Sequence, residues 1–309
     1  MENYRGKGIK MKYSKFILTA SVGIWVAATS FGKTDLATQK TPDAAIVQMA
    51  TAVANTRPQD LFKALPASYQ KQISEVVSSA AKKMDAELWA EGRELFKSIV
   101  NVAKTKKDLI LQARFLAQTE DKAALSKSWD DGVAMLTLIL DSDITNLEKL
   151  REGNVELLLA STSDMMKKFK KIVSDQSDED DDVFEKLKAL KVTVVSQKGD
   201  TATVKVEMKD EDPEMVEMVR VDGTWIPKEF ADGFAEEIKE VKESIAGIDF
   251  TSEQGKAMKA QIMQQLSMVK MMVKQAEMAT TSQQFDNIMM GLMMGAMTMG
   301  GGGAMPPSE

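Results

Sequence analysis

Between Lys191 and Pro227 the hydrophobic pattern changes from helical spacing to strict alternation, which leaves few alternatives to a half-buried antiparallel sheet. In "KVTVVSQKGDTATVKVEMKDEDPEMVEMVRVDGTWIP", Ala202, Val204, Val206 and Met208 fall on one side, and Thr203, Lys205 and Glu207 on the other. Turn residues interrupt the pattern at Lys198-Gly199-Asp200, from Asp210 to Pro213 and at Asp222-Gly223. The spacing predicts four strands, over 191–197, 201–209, 214–221 and 224–228, joined as a meander. Asp-Gly suits a two-residue hairpin turn, because both central residues need positive φ and glycine takes it without a Cβ clash. Trp225 is then expected on the sheet, where a helix can cover it. Pro227 cannot donate to a ladder, so its strand ends there or lies at an edge.

Helical periodicity surrounds this sheet. Thr41 and Pro42 read as N-cap and first helical residue, followed by Ile46, Met49, Ala50 and Val53 on one face. Pro58 and Pro66 bracket a short helix, and Tyr69, Ile73, Val76, Val77, Ala80 and Met84 mark a longer one. Leu88, Trp89, Leu95, Phe96, Ile99 and Val100 suit the next, then Leu109, Leu111, Phe115 and Leu116. Thr119 is placed to cap a helix carrying Leu125, Trp129, Val133, Leu136 and Leu140, and Thr145 to Glu148 has the spacing of a capping box. Beyond the sheet, helices are expected over 230–245 and 252–278, the second with Met258, Ile262, Leu266, Val269 and Val273 as its apolar stripe.

The fold class expected is therefore α+β: a mostly helical N-terminal region, a four-stranded antiparallel meander and C-terminal helices. The segments are a signal peptide over 1–32, a helical region over 33–173, and an acidic loop, meander and following helix over 174–250. A long amphipathic helix over 251–279 and a Met/Gly-rich disordered tail over 280–309 complete the chain. The acidic run "SDQSDEDDD", Ser174 to Asp182, reads as a solvated loop or helix N-terminus. A calcium loop counted from Asp178 would put Val183 and Ala189 where it needs glycine and glutamate.

Arg5, Lys7, Lys10, Lys12 and Lys15 precede the uncharged run from Phe16 to Gly32, the order of a signal peptide. Export to a periplasmic or extracellular space is the expectation. An uncleaved N-terminal membrane anchor is the alternative, since the run is near the lower length limit of about 17 residues for a spanning helix. Removing residues 1–32 takes five of the 40 basic and one of the 46 acidic residues and leaves a net charge near −10. That balance argues against a nucleic-acid partner.

The chain has no cysteine and no histidine. Thiolate and imidazole chemistry, Cys- or His-ligated metals and a lipoprotein anchor are excluded with them. A Ser-Lys dyad or a carboxylate pair could still act, but Ser68/Lys71 and Ser79/Lys82 lack the companion motifs of such enzymes. Trp89, Trp129 and Trp225 could line a pocket, yet at this spacing they read as core. Met289, Met290, Met293, Met294, Met297 and Met299 crowd the tail. Thioethers favour Cu(I), whereas a soft apolar surface for a partner or a membrane is the plainer reading. No catalytic residue, cofactor or metal site is assigned. A non-enzymatic binding or interaction protein for an unknown protein or small ligand is the leading expectation, with a Cu(I)-binding tail and a carboxylate-based enzyme as alternatives.

"GDTATVKVEM" followed by "VRVDGTWIP" resembles the closing strands of exported nuclear-transport-factor-two-like (cystatin-like) domains, over residues 191–228. The resemblance implies a sheet curled around a helix. It implies no catalytic residue, and the long helical regions on either side are not part of that pattern.

Overall fold

The computed structural model describes residues 41–113, 122–176 and 182–300, with backbone alone at 122, 124, 176 and 292–300. The signal segment, Phe115, Leu116, Thr119 and most of the acidic run lie outside the described residues. The molecule is α+β, mostly helical around one four-stranded antiparallel sheet. The helices are α1 (Pro42–Ala54), α2 (Pro58–Lys63), α3 (Ala67–Lys83), α4 (Ala86–Thr105), α5 (Lys107–Gln112), α6 (Lys122–Asp141), α7 (Leu147–Glu152), α8 (Val155–Ser161), α9 (Ser163–Gln176) and α10 (Val183–Lys188). Then come β1 (Lys191–Lys198), β2 (Thr201–Glu207), β3 (Glu214–Val221) and β4 (Thr224–Pro227), followed by α11 (Lys228–Ala246), α12 (Glu253–Met278) and α13 (Ser282–Gly300).

The chain forms two compact units, and neither is a continuous segment: one takes residues up to 82 and 142–247, the other 83–141 and 248 onward. The contiguous segments read from the sequence cut across both.

In the first unit the strands lie in the order β1-β2-β3-β4, each antiparallel to the next. The expected inward residues are buried: Ala202, Val204 and Val206 join Met218 and Trp225 against Ala45 and Ile46 of α1. Alanines at 45, 50, 52 and 54 remove side-chain bulk from the buried surface of α1, which lets the helix lie close to its neighbours. Farther along, Ala50 and Ala54 meet Leu187 of α10 and Met208. A bulge between Val194 and Ser196 leaves Val195 unpaired and half-exposed on the edge strand β1. Phe230, Phe234 and Ile238, spaced four apart on α11, pack with Phe62, Leu65, Tyr69, Ile73, Val155 and Leu159.

The second unit is helical. Leu95 and Val102 of α4, Ile110 of α5, Val273 and Ala276 of α12 and Phe285 of α13 share one core, with Trp129 of α6 against it. The Trp129 indole N–H donates to the Ala103 carbonyl at 2.9 Å, so this tryptophan is a satisfied core residue. Lys259 meets Asp85 and Glu87 at 2.8 Å each, Lys270 pairs with Glu91, and Asn101 donates to Glu277 at 3.2 Å. These pairs advance in the same sense along both helices, so α4 and α12 run parallel.

Three expectations are corrected. The capping residue before α7 is Asn146, not Thr145: its side-chain oxygen accepts from Glu148 N and Lys149 N at 3.1 and 3.3 Å. Thr145 instead ends a short 3-10 turn and donates its hydroxyl to the Ser142 carbonyl. Met258 is exposed, because the packed stripe of α12 begins only at Leu266. Third, residues 282–300, expected as disordered tail, are helical. Phe285, Ile288 and Met289 present an apolar face to the core. Thr281 Oγ1 accepts from Gln284 N at 3.3 Å, while the Gln284 side chain accepts from Thr280 N at 3.0 Å. That near-reciprocal cap and the burial of Phe285 outweigh the roughly 1 kcal/mol that each internal glycine costs a helix. Residues 301–309 lie outside the described residues.

Candidate functional site

The Asp222-Gly223 turn organises one end of the first unit. Both residues are left-handed, with φ of 50° and 80°, as the hairpin geometry requires. Asp222 has a second task, since its Oδ2 accepts from the backbone N–H of Ser68 at 2.8 Å. Ser68 lies in the first turn of α3, so the hairpin caps a helix far away in sequence and ties the sheet to it. Donation from the Ser68 hydroxyl and then its N–H holds the Asp222 carboxyl below the usual range.

Beside that cap the Tyr69 ring stacks on Phe234, with centroids 3.7 Å apart and planes 6° from parallel. Phe230 meets the Tyr69 ring edge-on at 5.9 Å. Burial first, and then the charges of Asp222 and Asp232, push the Tyr69 phenol above its ordinary pKa. The tyrosine is therefore a neutral packing group at physiological pH. Its contacts fix the first two turns of α11, whose polar face carries Lys228, Glu229 and Asp232.

Those residues border an open groove of about 370 Å³ lined by Glu214, Met215, Val216, Glu217, Pro227, Lys228, Glu229 and Asp232. Its origin lies in unequal strand lengths. Pro227 is opposite Met218, and β4 stops there, so among the described residues Glu214–Glu217 of β3 have β2 on one side and no strand on the other. Proline is the residue type that ends a ladder in this way. The groove combines a free half-strand edge, an exposed Met215 side chain and four carboxylates against one lysine. Lys228 is already paired with Asp232 at 2.7 Å, and that carboxylate, with Glu217 farther off, raises its pKa. Glu214, Glu217 and Glu229 leave the groove negative.

The residues singled out from sequence do not meet here. Ser68 is engaged by Asp222, and exposed Lys71 reaches toward Glu75 at 3.9 Å, so the two make no dyad. Ser79 and Lys82 are exposed on α3. Met289 packs against the core of the second unit and Met290 is exposed. The side chains of Met293, Met294, Met297 and Met299 lie outside the described residues. Among the described residues no group of three or more carboxylates is placed to hold a metal ion, and no helix is long and apolar enough to cross a membrane. Sequence reasoning missed the groove, although Pro227 as a strand end was its visible sign.

If the Asp222 cap contributes as described, Asp222→Asn will change the acid limb of stability. A depressed carboxyl stabilises above its unfolded pKa of about 3.9 and loses that contribution as pH falls through the lower folded value. Asparagine tolerates the left-handed turn and still offers an oxygen, so the expected loss at pH 7 is at most about 1 kcal/mol at this exposed site. Thermal melts from pH 7 to pH 2 should show the two proteins converging below pH 4; parallel curves would mean the charge contributes nothing.

No protein family, curated protein or solved structure matches this chain.

Proposed function

We propose that the chain is an exported, non-enzymatic binding protein whose groove at β3 and α11 takes an extended, basic peptide segment. The observation that carries this reading is the unpaired edge of Glu214–Glu217 inside a carboxylate-rimmed groove. A strand laid along that edge gains main-chain hydrogen bonds, and alternate side chains then meet Met215 and the glutamates. Lysine or arginine suits those positions, because each brings an apolar stem as well as a charge. Catalysis is a poorer fit, since the mostly solvent-open carboxylates lack the burial that sets acid and base apart. The same proposal treats residues 191–228 as a cystatin-like sheet, and α1 packed on the inner face of the meander supports it.

The test is fluorescence anisotropy with a labelled peptide of alternating lysine and valine. Binding should be salt-sensitive, and should fall at least about tenfold when Glu214, Glu217 and Glu229 are all changed to glutamine. A peptide of alternating glutamate and valine should not bind, and proline in place of the central valine should weaken binding by blocking the edge. Equal binding of the acidic peptide, or indifference to the triple change, overturns the reading.

A further inference from the structure

In the second unit the exposed large hydrophobic residues are nearly all methionine. Among the described residues its exposed large hydrophobic side chains are Ile99 and five methionines: Met258, Met268, Met271, Met278 and Met290. Leucine and phenylalanine are absent from that set, and methionine is absent from the buried core, which is Leu95, Val102, Ile110, Val273, Phe285 and three alanines. A surface selected only for stickiness would draw on leucine and phenylalanine as readily. Half-buried methionines such as Met289 lie between these extremes, but the most exposed large apolar side chains are thioethers and the fully buried ones hydrocarbon, a bias that points to the chemistry of the sulfur itself. On α12, Met268, Met271 and Met278 fall within about 80° of one another at 3.6 residues per turn, in company with exposed Gln264 and Gln275.

We propose that this methionine face is a modification site for two-electron oxidants of the peroxide class. A thioether lone pair attacks one peroxide oxygen. The S–O bond forms as the O–O bond breaks, the proton on the transferred oxygen passes to the departing one, and the products are the sulfoxide and water. Sulfur loses two electrons and the peroxide gains them. No convergence of side chains is needed, unlike a Cu(I) site, so a face of separate exposed sulfurs suffices. Because these side chains contribute nothing to the buried core, the polar sulfoxide is accommodated without unfolding. With no cysteine in the chain, methionine is its most readily oxidised side chain, and the unit can absorb several equivalents of oxidant while it stays folded.

Limited hydrogen peroxide treatment of the full chain, read by peptide mass mapping and circular dichroism, tests this. Met271, Met278 and Met290, which are 57%, 65% and 57% exposed, should oxidise at least about tenfold faster than Met218, which is 1% exposed. Helical signal and Tm should be retained once the exposed set is fully converted. A variant with Met268, Met271, Met278 and Met290 changed to leucine, a swap of similar volume, should fold normally and show a smaller fast phase of peroxide consumption, the remainder coming from exposed methionines such as Met215 and Met258. Met218 oxidising as fast as Met271, loss of helix on conversion of the exposed set, or an undiminished fast phase in the leucine variant overturns the proposal.

Discussion

Gly255→Ala will be strongly destabilising, because it meets the tightest contact found at any described glycine. Gly255 is a buried residue in the first turn of α12, where its N–H is taken by the Ser252 cap at 3.1 Å. A Cβ there would stand 1.8 Å from the Asp249 carbonyl oxygen and 2.8 Å from the Phe250 Cα. Both obstacles are backbone, in a loop fixed by donation of Thr251 N and Oγ1 to Asp249 Oδ1 at 2.9 and 2.6 Å. Neither can rotate aside, so the loop or the helix must move. The expected cost is at or above the top of the range of about 1–3 kcal/mol for overpacking, a fall in Tm of about 10 °C. Gly92→Ala provides the internal contrast. It lies mid-helix on α4 in the same unit with open space where its Cβ would go, so it should gain up to about 1 kcal/mol from helix propensity. Thermal melts of the two variants should move in opposite directions; a shared sign would refute the packing at Gly255.

The second large effect is at Trp225, 0% exposed between the sheet and α1. Trp225→Ala should cost about 3–5 kcal/mol, as the removal of a buried indole from a core does. Trp225→Phe should cost far less, about 1 kcal/mol, for a reason beyond size. The indole N–H is buried with no hydrogen-bond partner among the described residues, so phenylalanine removes a desolvated donor without orphaning an acceptor. Urea unfolding followed by circular dichroism separates these outcomes. A phenylalanine variant as unstable as the alanine one would show that the indole nitrogen is engaged.

The sheet was legible in the sequence because alternation, Asp-Gly and Pro227 are local features that act on their nearest neighbours. Each strand lies within two residues of its expected bounds. The two exported-domain features, by contrast, rest on residues outside the structural description or on a resemblance. The helix over 282–300 is hidden by composition: a run of methionine and glycine looks structureless until Phe285 finds its core, and the Thr281-to-Gln284 cap is a faint signal beside it. The Asn146 cap shows a different limit. Thr145 and Asn146 are both able cap residues one position apart, and only the 3-10 turn that occupies Thr145 decides between them. The groove could not be read at all, because it exists where β4 is shorter than β3 and where an aromatic cluster from α3 and α11 sets the angle of a helix. Those are relations between segments rather than properties of any one.

The interleaved units have a consequence for the order of events during synthesis. The backbone passes from one unit to the other between 82 and 83, between 141 and 142, and again between 247 and 248. When α4, α5 and α6 leave the ribosome the core they share is incomplete, since Val273, Ala276 and Phe285 come near the end of the message. The earlier helices must wait, with that core incomplete, through the translation of residues 142–247, which carry the sheet. For that interval a holdase or a translocation channel that keeps the nascent chain extended would protect it better than rapid local folding could.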